Sequence, residues 1–208
     1  RAALGGTTAA AGDASLSSAV AALGVPFGPV HYEMGCGFKV RGAAVVAATV
    51  NPRFAQAELL SGSDGGLVRI APFQGRGVSV ALRLAGRSGV LLPAVPEFLA
   101  ALTFEGGGLV HVAYEPSDTS QRWGFYAQNG DELRRLQTIA AAASRLGVFR
   151  LERDDALEIL RRMQMLKGID PALAVYAAHG YTGAGRRDWL LEMEEYMHRQ
   201  IGLVFFDI

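Results

Sequence analysis

The sequence is poor in the residues that most often carry chemistry. It has one cysteine and four histidines in 208 residues. A single cysteine excludes an internal disulfide and a thiolate metal cluster, and it suits a reducing, cytoplasmic setting. Twenty basic residues offset twenty acidic ones. That balance gives no reason to expect nucleic acid or an anionic membrane as partner. No uninterrupted apolar run reaches the roughly 18 residues needed to cross a bilayer. The patterns GxxxxGK[ST], strand–GxGxxG–helix and GxSxG are all missing. Their absence removes the usual phosphate-loop, dinucleotide and nucleophile-elbow readings. No metal and no cofactor is expected.

What is present is a globular composition. Half the residues are hydrophobic, which excludes a disordered chain and is enough for a sizeable core. The first residue is Arg1, and residues 1–26 are small, polar and rich in alanine and glycine. They read as a linker, with a short helix expected around Leu16–Leu23. The expectation is an accessory region of a longer polypeptide, with a β-rich part over 27–120 and a helical part over 121–208.

The β texture is periodic. In "GVSVALRL", Val78, Val80, Leu82 and Leu84 alternate against Ser79, Ala81 and Arg83, as a half-buried strand requires. "FLAALTF" puts Phe98, Ala100, Leu102 and Phe104 on one face. Gly106 to Gly108 then form a turn, and "LVHVAY" returns as a hairpin. "GFKVRGAAVVAATV" and "LVRIA" are further strands, with "SGSDGG" as a turn between them. Pro93, Pro96 and Pro116 punctuate the pattern. Short strands with glycine-rich turns predict a small antiparallel sandwich or barrel.

After Trp123 the period changes. "DELRRLQTIAAAASRLG" places Leu133, Leu136, Ile139, Ala143 and Leu146 on one helical stripe. "ERDDALEILRRMQMLKG" has acids first, arginines later and Gly168 at its end, in the order the helix dipole favours. "DPALAVYAAHGY" opens with Asp170 as N-cap and Pro171 at the first helical position. "TGAGRRD" breaks the chain before "WLLEMEEYMHRQ", so the last two helices read as an antiparallel hairpin. The fold class expected is α+β, an antiparallel sandwich-like part followed by about four helices that pack on it. The apolar tail "GLVFFDI" needs a cover.

The candidate sites are few. His31 and Cys36 lie five residues apart in "HYEMGCG". On a strand they would point to opposite faces. On a helix they would stand about 140° apart. Only a turn at Gly35 and Gly37 would join them, and no orienting group or oxyanion site can be named. Cys36 is therefore expected to be a small buried thiol at a strand entry. His111, His179 and His198 form no metal spacing; His179 is expected in or near the core. The glycine clusters at 61–66, 73–77 and 86–89 read as turns rather than phosphate loops. Asp154/Asp155 and Glu194/Glu195 are adjacent on helices and do not face each other, so they make poor acid–base pairs. Ser117, Asp118 and Ser120, with His111, read as locally capped loop residues and not as a hydrolase triad. "RWGFY" is the densest aromatic cluster. It either staples helices to sheet or offers Arg122, Trp123, Phe125 and Tyr126 to a partner, since arginine and aromatic side chains dominate interface hot spots.

Three stretches resemble a known region: "GVSVALRLAGRSGVLLPAVPEFLAALTFEGGGLVHVAYEPS", "LQTIAAAASRLGVFRL" and "LKGIDPALAVYAAHGYTGAGRRDWLLEMEEYM". Together they are similar to accessory regions found downstream of caspase-like (CHAT or metacaspase type) or trypsin-like proteases in bacterial conflict systems. The likeness spans roughly residues 37–208, and its motifs are structural. It implies a non-enzymatic adaptor or sensor bound to a protease or to another domain of the same polypeptide, in defence or programmed cell death. No catalytic residue carries over. The alternatives are a small cysteine hydrolase using Cys36 and His31, and a structural oligomerisation domain.

Overall fold

The computed structural model describes residues 36–60, 66–73, 75–86, 88–117, 119–146 and 153–202. The linker-like segment, its expected helix, His31 and the tail at 203–208 lie outside the described residues. Eight strands come first: β1 (Gly37–Arg41), β2 (Val45–Thr49), β3 (Ala55–Leu60), β4 (Leu67–Pro72), β5 (Val78–Leu84), β6 (Gly89–Ala94), β7 (Phe98–Glu105) and β8 (Gly108–Pro116). Five α-helices follow: α1 (Trp123–Gln128), α2 (Gly130–Leu146), α3 (Arg153–Leu166), α4 (Ala172–Gly183) and α5 (Arg187–Tyr196). A π-helical turn, Met197–Ile201, closes the described part. The class is α+β.

The strands form two sheets. One has five strands in the order β3-β4-β1-β7-β8, the other three in the order β2-β5-β6. The expected antiparallel pattern is broken once: β1 runs parallel to β7, with Phe38 opposite Ala100 and Val40 opposite Leu102. The run 37–50 is also two strands in two sheets, not one. Gly42 makes the switch, at φ +80, where a Cβ would meet the Phe104 carbonyl oxygen at 2.0 Å. Only glycine passes so close to a neighbouring backbone in that conformation.

The alternation read from the sequence appears as burial. Val80, Leu82 and Leu84 are buried while Ser79, Ala81 and Arg83 are exposed. They join Phe38, Val40, Val68, Ile70, Ala100, Leu102 and Tyr114 in one core. The Tyr114 hydroxyl crosses between the sheets and donates to the Pro93 carbonyl at 2.7 Å. On β7 and β8 the opposite face is buried as well, at Leu99, Thr103, His111 and Ala113. There α1, α2 and α4 pack against β8. The turn joining β7 to β8 is Gly106–Gly107, both at positive φ, and Gly108 already belongs to the strand.

The helices follow their stripes. Leu133, Leu136, Ala140 and Ala143 of α2 are buried, while Ile139 is only partly so. α4 is apolar nearly all round and packs against α2, α3, α5 and β8, as a helix at the centre of a layer does. Gly180 lets α3 approach, because a Cβ there would fall 2.3 Å from Leu160 Cδ2. The Tyr181 and Trp189 rings meet edge to face at 4.8 Å between α4 and α5.

Candidate functional site

Three places were marked by the sequence as possible chemistry, and the fold separates them. Cys36 is buried at the entry to β1, and its carbonyl accepts from Ile70 N–H at 3.1 Å. Burial pushes its thiol up to about 12. A thiol in that range stays protonated at neutral pH and is a poor nucleophile. His111 sits on β8, 3% exposed, with neither ring nitrogen hydrogen-bonded to any described residue. Burial alone pulls it down to about 4, so it is neutral near pH 7. Ser117 Oγ lies 2.8 Å from Thr119 Oγ1, and Ser120 Oγ accepts from Arg122 N–H at 3.2 Å locally and donates to the distant Glu97 Oε2 at 3.1 Å. Asp118 lies outside the described residues. His179, expected in or near the core, is exposed on α4 and so is corrected here; His198 is exposed on the π turn. No group of three or more metal-ligating side chains occurs among the described residues.

Asp170 is the most unusual titratable group. The sequence marks it as the cap of α4, and its carboxylate does accept from Ala172 N–H at 3.0 Å. The same Oδ1 accepts from Tyr114 N–H of β8 at 2.9 Å. Its other oxygen, Oδ2, accepts from Gln137 Nε2 of α2 at 2.8 Å. Three elements thus meet on one fully buried carboxyl group. Burial pushes it up to about 7, against the three hydrogen bonds that favour its charged form. Two residues back along the strand, Tyr176 Oη of α4 lies 3.3 Å from both N and O of Val112. β8 is an edge strand. Its outward backbone groups are therefore covered by an Asp and a Tyr from the helical layer, one of the ways a fold protects an edge.

The aromatic cluster forms a joint beside this edge. Pro96 and Glu97 turn the chain between β6 and β7, with Glu97 at φ +66 and Phe98 N–H bonded to the Val95 carbonyl at 3.1 Å. Glu97 also accepts Ser117 N–H on its carbonyl at 2.7 Å. A non-glycine residue at positive φ stores strain that neighbouring bonds must hold. Arg122 then spans the joint. Its guanidinium donates to the Gly168 carbonyl at 3.0 Å and to the Gln200 carbonyl at 3.4 Å, and lies 5.8 Å from the Phe98 ring centroid. Trp123 stacks on Tyr126 at 5.5 Å, and Tyr126 packs on the core. Phe125 does not join them: it is 56% exposed. The four residues of the cluster therefore divide. Arg122, Trp123 and Tyr126 fix α1, and Phe125 is held in solvent.

An exposed aromatic pair that sequence reasoning missed is Phe54 and Phe73, at 49% and 52% exposure. Its one signal was that neither ring fitted the apolar alternation of β3 or β4. No helix of the described residues is long and apolar enough to cross a membrane. Comparison of the chain with models of known families, with curated proteins and with solved structures finds no match.

Proposed function

We propose that this chain is a non-enzymatic interaction module, and that α1 is its contact with a protein partner. The observation that carries the reading is Phe125: a large apolar ring, 56% exposed, on a helix whose neighbours are pinned. Arg122 bridges two backbone carbonyls, and Trp123 and Tyr126 stack. A rigid aromatic side chain presented this way loses little entropy on binding. The partner is a caspase-like or trypsin-like protease of a bacterial conflict system, or another domain of the same polypeptide; the resemblance of residues 37–208 supports that class. Phe125 would be the anchor, with Arg122, Trp123 and Tyr126 as its support and rim.

Isothermal titration against purified caspase-like and trypsin-like proteases of bacterial conflict systems tests the reading. Phe125→Asp is expected to weaken binding by about tenfold or more, the scale of a hot-spot loss, with an unchanged unfolding midpoint. Full binding by Phe125→Asp, or substrate turnover by the isolated chain, would overturn it.

A further inference from the structure

Among the described residues, the helices pack on the β8 end of the five-stranded sheet. On the face that carries His111 and Ala113 at β8, the other end bears Gln56 and Glu58 of β3 opposite Ala71 and Arg69 of β4, all exposed. The ladder continues one step further. Phe73 N–H donates to the Phe54 carbonyl at 2.8 Å. Ala55 opposite Pro72 points to the core, so Phe54 and Phe73 stand side by side on the open face. Two half-exposed phenylalanine rings on adjacent strands form one apolar spot.

Three arginines lie near that spot along the chain. Arg53 adjoins Phe54, Arg76 follows Phe73 by three residues, and Arg69 lies farther along β4; all three are exposed. None of the three makes an ion pair among the described residues. Lys39 and Arg41 of β1 continue the same face, where Glu115 of β8 offsets the Lys39 charge. Glu58 is the acidic side chain on β3. The whole chain is neutral, so this excess is local. Arginine next to exposed aromatic rings is the composition of an interface hot spot, and the sign of the field selects the partner.

We infer that the open β3–β4 face is a docking site for an acidic segment carrying apolar or aromatic side chains, with the Phe54–Phe73 pair as its apolar contact and Arg53, Arg69 and Arg76 as its charge readers. The site is distinct from α1, and a partner could engage both. Two strands set about 5 Å apart give a strip wide enough for one extended segment or one helix, whose diameter is about 10 Å.

A random dodecamer display library panned on the immobilised chain tests this. Selected peptides should be enriched in Asp and Glu together with Leu, Phe or Trp. A labelled winner, followed by fluorescence anisotropy, should lose about tenfold in affinity to Phe54→Ser/Phe73→Ser and again to Arg69→Glu. Its binding should weaken steadily with salt. Phe125→Asp should leave this binding unchanged, which separates the site from the one on α1. Circular dichroism confirms that each variant is folded. Selection of basic peptides, or of none, would overturn the inference, as would winners indifferent to these substitutions. A protein that light scattering finds as a dimer, and as a monomer after Phe54→Ser/Phe73→Ser, would overturn it in favour of a second copy as occupant.

Discussion

The two ends of the five-stranded sheet are built from the same kind of strand and finished in opposite ways. At β7–β8 both faces are buried, one by the second sheet and one by helices, and the edge is capped by Asp170 and Tyr176. At β3–β4 one face joins the core through Ala55, Val68 and Ile70, while the other carries exposed Phe, Arg and Glu. The difference teaches where each end spends its polar chemistry. At β8 it is turned inward, to satisfy backbone that helices have cut off from water. At β3–β4 it faces solvent, where it is available to something else.

The covered end should break most easily at its carboxylate. Asp170→Ala leaves Tyr114 N–H, Ala172 N–H and the Gln137 amide without their acceptor. Each buried donor so stranded is costly, and the sum is expected near ~4 kcal/mol. Urea denaturation reads this as a lowered midpoint. Asp170→Asn should cost far less, because its carbonyl keeps the two backbone donors and a turned Gln137 amide can accept from its nitrogen. Equal losses in the two variants would mean that volume, not hydrogen bonding, holds the edge.

pH sharpens the same comparison, because two buried groups of the covered end titrate in opposite directions. Asp170 is raised from 3.8 to about 7. Its contribution is fully present below the unfolded value and is lost as pH rises through about 7. His111 is lowered from 6.5 to about 4. Its contribution is present above the unfolded value and is lost as pH falls through about 4. Between about 4 and 6.5 the two slopes oppose, on the order of 4 kcal/mol for Asp170 and of 3 kcal/mol for His111 across their windows. His111→Leu should expose the Asp170 slope: the variant itself loses stability as pH rises from about 4 to about 7. Asp170→Asn should do the reverse and lose stability as pH falls from 6.5 to about 4. Urea midpoints at four pH values check both signs. Substitutions at β3–β4 should change neither slope.

A smaller effect is expected inside the helical layer that makes the cover. Gly180→Ala forces Leu160, 3% exposed, out of its place. Leucine can rotate, so the cost is about 2 kcal/mol, typical of overpacking. The unfolding midpoint measures it. If Gly180→Ala stabilises instead, helix propensity outweighs the close approach of α3 and α4.

Much of this arrangement was legible in the residues. β5, β7 and β8 are readable because their apolar residues alternate, α2 because its apolar residues recur at helical spacing, and α3 to α5 from charge order, the Asp170–Pro171 start and the glycine-bearing break. β3, "AQAELL", was not. It is an edge strand with one face open, so it lacks the apolar contrast that makes a strand visible. The split at Gly42 and the parallel pairing of β1 depend on residues distant in sequence, which periodicity does not record. Asp170 reads as the N-cap of α4; the cap position falls on Pro171, and Asp170, one residue earlier, accepts from Ala172 N–H. Its bonds to Tyr114 and Gln137 bridge 56 and 33 positions, and no local pattern holds that information. Cys36 was read as a buried thiol from its surroundings, and burial is what the fold gives it.

The smallest effect on stability belongs to the open end, and there the comparison becomes decisive. Phe38 lies on β1, and Phe73 directly follows the neighbouring strand β4 of the same sheet. Phe38 is 0% exposed and Phe73 52% exposed. Truncating Phe38 to Ala removes a ring from the core and is expected to cost about 4 kcal/mol. Phe73→Ser removes a ring that is half in water, and with Phe54→Ser it should cost no more than about 1 kcal/mol per site. Thermal unfolding of the three variants gives the ratio. A ratio near one would mean that the Phe54–Phe73 face is packed in solution and unavailable for docking. A large ratio leaves two aromatic rings whose exposure the fold does not need for its own stability.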